Sequence, residues 1–224
     1  IMEGNGDSKS VNAAWTYFVA THMGTAFVLL TFVMFFVSSG SFEFDAWRSV
    51  SLATVPAALA FAFALIGFGT KAGLIPFHVW LPIAHPSAPS HVSAMMSGIM
   101  IKMGVYGIVR MLCISENWNS WWGLALLALG AASAIWGVLS AVGQNEIKRL
   151  LAFSSIENIG IIFLGLGLGV IGATNDEPLI MAFAVCGALL HVWNHAIFKG
   201  LLFWLQDRYS TACTPVSWTD SGGC

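Results

Sequence analysis

An all-α, polytopic membrane protein is the fold class this sequence predicts, and three observations predict it. The composition is 57% hydrophobic and only 9% charged, whereas a soluble domain has about 45–50% apolar and about 25% charged residues. Six apolar segments, at roughly 15–38, 52–75, 91–113, 121–142, 150–171 and 179–204, reach the roughly 20 residues a helix needs to cross a bilayer. Short polar punctuators separate them: SSGSFEFDAWRS, ISENWNS, GQNEIKR and GATNDEP. Ten tryptophans suit the same setting, because indole rings collect at the headgroup level.

Residues 1–14 read as a polar loop, and the opening IMEGNGDSK lacks the charge and apolar pattern of a signal peptide. An opening on Ile reads as a fragment. The second segment is unusual. From Ser51 to His85 the chain is apolar almost throughout, too long for one span and too short for two with a loop. Pro76 and Pro82 interrupt it, and proline removes a backbone donor and clashes with the preceding turn. A broken helix is predicted, resuming from Phe77 to about Ala84 ahead of the stretch HPSAPS. The alternative is a simple proline kink. Broken helices at membrane depth persist only where protein or a water-filled cavity satisfies the freed carbonyls, and they recur at ion sites of transporters. The sixth segment starts at GATNDEP, where Asp176 and Glu177 precede a Pro178 whose missing N–H costs nothing in a first turn. Lys9, Lys148 and Arg149 fall on one side of the membrane and Arg48 and Arg110 on the other, which favours the face of the loop 143–149 as cytoplasmic.

Ionisable side chains inside a span are costly and mark ion or proton paths. Lys102 lies near the middle of the third span, about ten residues from either end, too far to snorkel to an interface. Lys71 sits just before the Pro76 break. In a continuous helix it would snorkel at an end, and in a broken one its ammonium faces a cavity. Glu157 lies about a third of the way along the fifth span, with Ser154, Ser155 and Asn158 near enough to hydrogen-bond it, either as a functional or as a satisfied structural carboxyl. His191, His195 and Lys199 recur every four residues and share one face of the sixth helix. Such a line of groups passes protons through intervening water. The plainer alternative is hydrogen bonding to neighbouring helices.

Other chemistry is disfavoured. His191 and His195 have the spacing of a zinc helix, but Val192 stands where a general-base Glu is needed. Both lie on one helix face, so they do not grip a haem from two sides. Gly167, Gly169 and Gly172 spell a G-x-G-x-x-G, but they follow no strand and read as close helix packing. Cys113, Cys186, Cys213 and Cys224 form no C-x-x-C pair, so neither a metal nor another cofactor is expected. A net charge of −2 excludes nucleic acid as a partner.

The stretch KAGLIPFHVWLPIAHPSAPSHVSAMMSGIMIKMGVYGIVRM resembles the antiporter-like, proton-translocating subunits of complex I and membrane-bound hydrogenases. VATHMGTAF, QNEIKRLLAFSSIENIG and HAIFKGLLF resemble the same group, nearest to its hydrogenase-4 and formate hydrogenlyase branch. The resemblance covers about residues 14–203, with four separated motifs in order. It implies an inverted-repeat fold of about fourteen helices, of which this chain carries about helices six to eleven. It further implies that Lys71 is the lysine of the first broken helix and Lys102 the lysine of the next, both proton carriers. His195 and Lys199 match polar residues of the helix before the second broken one, and Asn158 stands where many relatives have His. The glutamate that pairs with the first lysine is implied upstream of Ile1. The partners implied are other membrane subunits, hydrophilic redox subunits, the lipid bilayer and protons, in a prokaryotic inner membrane.

After Phe203 the family pattern stops, and residues 204–224 read as an aberrant polar tail. A shifted reading frame over this tail permits the family's Gly-Ser-Val turn and Leu-Asp-Arg-Leu-Gly motif, so a frameshift product is expected there. The expected domain is therefore a partial proton-translocating unit over 15–203. Three rivals stand beside it: a subunit of a multi-subunit cation/proton antiporter, a redox protein holding haem or quinone itself, and a structural membrane anchor.

Overall fold

In a bilayer every backbone polar group needs an internal partner, and a helix supplies it within one segment. The computed structural model describes residues 8–48, 54–114 and 118–212, and among them there are helices and no strands. In order they are α1 (Ser8–Ser39), the short α2 (Phe44–Arg48), α3 (Thr54–Ala72), α4 (Leu81–Ser87), α5 (Ser90–Met95), a π-helical turn (Met96–Met100), α6 (Ile101–Ile114), α7 (Ser120–Val142), α8 (Ile147–Thr174) and α9 (Pro178–Ala212). Five stretches are long and apolar enough to span: Ser8–Ser39, Ser90–Ile114, Ser120–Val142, Ile147–Thr174 and Pro178–Tyr209. The apolar part of α3, Pro56–Ala72, is shorter.

Two boundaries differ from the sequence reading. Helix α1 begins at Ser8, so the residues from Ser8 to Ala14 are helical rather than loop, while 1–7 lie outside the described residues. Helix α9 runs on through Trp204 to Ala212, and 213–224 lie outside. Both extensions carry polar residues past the apolar run. Helical hydrogen bonds need only a continuing backbone, so hydropathy marks where a span ends and not where its helix ends.

The predicted break is present, but Pro76 does not make it. Helix α3 stops at Ala72 because Gly73 adopts φ +75°, the left-handed region that glycine enters without steric cost. Leu74 N–H donates to the Gly69 carbonyl at 2.9 Å and Gly73 N–H to that of Thr70 at 3.2 Å, the paired bonds of a Schellman ending. A Cβ at position 73 would stand 2.5 Å from Leu81 Cδ1. The chain resumes as a helix at Leu81, four residues later than Phe77, with Pro82 in its first turn. Pro82 therefore starts α4, where its missing donor costs nothing. The helix continues through Pro86 to Ser87 and α5 begins at Ser90, so in HPSAPS the second interruption falls at Ala88 and Pro89 alone, in extended conformation.

Groups freed by the break are satisfied by protein. Ile75 N–H donates to Ser133 Oγ of α7 at 3.0 Å, and Ser133 in turn donates to the Leu129 carbonyl at 2.8 Å. Trp80 Nε1–H donates to the Thr70 carbonyl at 2.8 Å. Ser133 is fully buried. Ser133→Ala is expected to cost about 1–3 kcal/mol by stranding the Ile75 N–H. Thermal unfolding in detergent, with the less buried Ser140→Ala as control, measures it.

Glycines set the helix spacing. Gly123, Gly130 and Gly137 on α7 meet the backbone of α8 near Gly167, Gly160 and Glu157; a Cβ at Gly137 would lie 2.5 Å from Glu157 N. Gly24 of α1 and Gly67 of α3 make the same close crossing, as do Gly104 of α6 and Ala72. Gly167, Gly169 and Gly172 each back onto a neighbouring helix, which is the packing role the sequence suggests. Helix α8 ends up central, between α7, α4 and α9, while α9 shows most of its outer face.

Candidate functional site

The buried polar groups concentrate where α8 meets the π turn, α6, α4 and α9. Lys102 is 8% exposed and Lys199 1%. The π turn supplies the first anchor: the Lys102 ammonium donates to the Ser97 carbonyl inside it. Single π turns inside α-helices recur at functional sites. Ser97 Oγ lies 2.9 Å from Ser155 Oγ. Because Ser155 spends its one proton on the Leu151 carbonyl at 2.9 Å, Ser97 is the donor of that pair. The Leu151 carbonyl also accepts from the Lys199 ammonium at 2.9 Å, and Lys199 donates to Ser154 Oγ. A short chain of serine hydroxyls and backbone carbonyls thus joins two buried lysines from different helices. Among the described residues no carboxylate forms a salt bridge to either.

Two turns away on α9, His191 Nε2 lies 3.0 Å from Asn158 Oδ1. Asn158 donates its Nδ2 to the Ser154 carbonyl at 2.7 Å, which fixes Oδ1 as the acceptor and His191 as the donor. The His191 and His195 rings run parallel, 7° apart in plane and 6.2 Å between centroids. His195 is fully buried with neither ring nitrogen bonded to protein.

His85 escapes the sequence reading. It is fully buried on α4, both ring nitrogens lack a protein partner, and its ring stacks on Phe203 of α9 at 4.9 Å. The charges of Lys199, Lys102 and Lys148 all act on it. The available signal is an ionisable residue at the end of the apolar run from Ser51, obscured by the prolines on either side. Buried polar groups in folded proteins have partners, so water is the fitting partner for the nitrogens of His85 and His195.

The remaining predicted residues divide. Glu157 is half-buried and its charge acts on Lys199 and His191, so it belongs electrostatically to the cluster. Ser154, Ser155 and Asn158 do not hydrogen-bond it; they turn to the backbone of α8 and to Ser97, Lys199 and His191. Helical side chains bond most readily to the carbonyl one turn back, and that local option wins. Lys71 stands apart, half-buried at the end of α3. It lines a cavity of about 270 Å³ with Thr25, Phe32, Phe68, Tyr106 and Arg110. The Arg110 guanidinium lies 4.6 Å from the Phe44 ring centroid on the same side. Pro76 lies in the turn between α3 and α4, and Pro82 in the first turn of α4.

The family model described as "NADH:quinone oxidoreductase/Mrp antiporter, TM" matches residues 1–216. Hydrogenase-4 component B of Escherichia coli (strain K12) is 45% identical over 200 residues, which are 88% of this chain and 30% of that protein. The chain therefore spans under a third of that relative's length. A chain of the membrane-bound sulfane sulfur reductase, an archaeal respiratory membrane complex, superposes with TM-score 0.75 at 32% identity, over 86% of this chain and 32% of that one. A chain of the Mrp complex from a Dietzia species superposes with TM-score 0.78 at 24% identity, over 89% and 35%, a likeness of fold. The chain belongs to the NADH:quinone oxidoreductase/Mrp antiporter transmembrane family.

Proposed function

We propose that this chain is proton-translocating membrane machinery of a redox-driven complex of the hydrogenase-4, formate hydrogenlyase or NADH:quinone oxidoreductase type. Its partners are further membrane subunits and hydrophilic redox subunits, in a prokaryotic inner membrane. The observation that carries the reading is the pair of buried lysines, Lys102 and Lys199, inside candidate spans and bonded to carbonyl and hydroxyl oxygens, with no salt bridge to either among the described residues. A buried charge without a counter-charge is costly, so a purely structural ammonium gains little from this setting. An ammonium among neutral oxygens loses and regains its proton without breaking an ion pair. The two charges also repel, so the state of one lysine is felt by the other.

Lys71 is the place where a redox event acts on this system. A charge about 4 Å away interacts with it by roughly 4 kcal/mol at an effective dielectric of about 20, enough to move a proton. From Lys71 the proton passes to Lys102 and on through Lys199, His195 and His191, with His85 beside the same groups. The 45% identity to hydrogenase-4 component B supports the redox branch.

The Mrp-like fold supports a second reading, a subunit of a cation/proton antiporter. The two separate in sealed vesicles containing the assembled complex and a pH-sensitive dye. A pH gradient that forms on electron transfer and is indifferent to sodium supports the redox reading. A gradient that forms only on imposing a sodium gradient, with no redox substrate, replaces it with the antiporter.

A further inference from the structure

The hinge between α4 and α5 is held by side chains from two other helices. Ala88 is extended (φ −91°, ψ 148°) and Pro89 follows with ψ 148°, so two residues interrupt the helical path one turn beyond His85. The Ala88 carbonyl accepts the Lys148 ammonium of α8 at 2.9 Å. Ser90, 5% exposed, donates its hydroxyl to Gln206 Oε1 of α9 at 3.1 Å. Glu146, in the loop before α8, and Asp207 of α9 act on Lys148. Ser93 Oγ, a turn further on, donates to the His85 carbonyl at 3.0 Å. Behind the hinge lie His85 and, within its electrostatic reach, Lys102 and Lys199.

We propose that Lys148 latches the Ala88–Pro89 hinge shut over the buried His85, and that releasing it opens this end of the lysine–histidine cluster to water. The geometry suits a gate. Pro86 and Pro89 leave the hinge short of backbone donors, so its position depends on side chains that reach it from α8 and α9. Each clamp is a polar contact near the end of a helix, where bonds exchange with water most readily. Lys148 bonds the Ala88 carbonyl and stands outside the hydrogen-bonded chain from Lys102 to Lys199, so its role is to position the hinge and not to carry the proton. The gating role rests on the proton-translocating reading above; the latch as a structural device does not.

The test is hydrogen–deuterium exchange of the complex containing this chain, comparing wild type with the Lys148→Met variant. The Ala88 amide, bonded to the Ala84 carbonyl at 3.1 Å, and the Ser93 amide, bonded to that of Pro89 at 2.9 Å, report on the hinge. Loss of the ammonium-to-carbonyl bond is expected to speed exchange of peptides covering 84–93 roughly ten-fold, with peptides of α7 unchanged. Lys148→Arg, which still donates to the Ala88 carbonyl, keeps exchange slow. Passive proton leak into vesicles, without redox substrate, rises in Lys148→Met. Unchanged exchange overturns the latch. Faster exchange with an unchanged leak overturns the gate. If redox-driven translocation is absent in wild type while the exchange result holds, the functional reading fails and the latch stands.

Discussion

Lys102→Met in the assembled complex is expected to lower proton translocation about 100-fold while electron transfer continues, since a positioned proton carrier commonly contributes that much. Methionine keeps the unbranched apolar stem and removes only the ammonium. The loss therefore reads on proton transfer and not on packing, because Lys102 is already buried and the ammonium's partner is the carbonyl of Ser97 in the adjoining π turn. Ser97 still donates to Ser155, so the contact between the π turn and α8 survives. Dye-reported gradient formation per electron transferred is the measurement. An unchanged ratio removes Lys102 from the path.

Gly160→Val is expected to cost about 3 kcal/mol or more in stability and to lower the amount of folded protein in the membrane. A Cβ there stands 2.5 Å from Ala134 N and 2.6 Å from the Gly130 carbonyl, both backbone atoms that move only if the two helices part. Parting them also shifts Glu157, whose backbone rests against Gly137 one turn away on the same seam. Gly187→Ala, with nothing within 4 Å of its added carbon, is the control. Thermal aggregation in detergent compares the two, and equal midpoints would show that α7 and α8 tolerate separation.

The helices are legible in the sequence because solvation in a bilayer leaves one solution for a long apolar run. Lys102 is legible as a buried cation because about ten residues of apolar helix lie on either side of it. Geometry across helices is not. Proline chemistry points to Pro76 as the break, but a positive φ is invisible in a sequence, and Gly73 makes it. Proximity along the chain offers Ser154, Ser155 and Asn158 to Glu157 as partners. Those groups instead tie α8 to Lys199, Ser97 and His191, contacts with sequence separations of 33 to 58 residues. His85 escapes notice because its surroundings, Phe203 and the lysines of α6 and α9, come from elements far along the chain. Lys71 and Lys102, neighbours in the motif, sit in separate environments because α6 turns Met103, Tyr106 and Arg110 to the Lys71 cavity and Lys102 to Ser97.

The joint held by Ser97 and Ser155 also sets a timetable for biogenesis. The span Ser90–Ile114 has the lowest mean hydropathy of the five, 1.5, and contains Lys102. A central lysine costs roughly 2.5–3.5 kcal/mol on insertion. When this segment emerges from the ribosome, the serine of α8 that completes its polar environment is still 53 residues away (155 − 102). At about 5–20 residues per second, that is an interval of roughly 3–10 s. During it, the Ser97 carbonyl, five residues away in the same segment, is a partner for the ammonium that is already synthesised, whereas the serine of α8 is not.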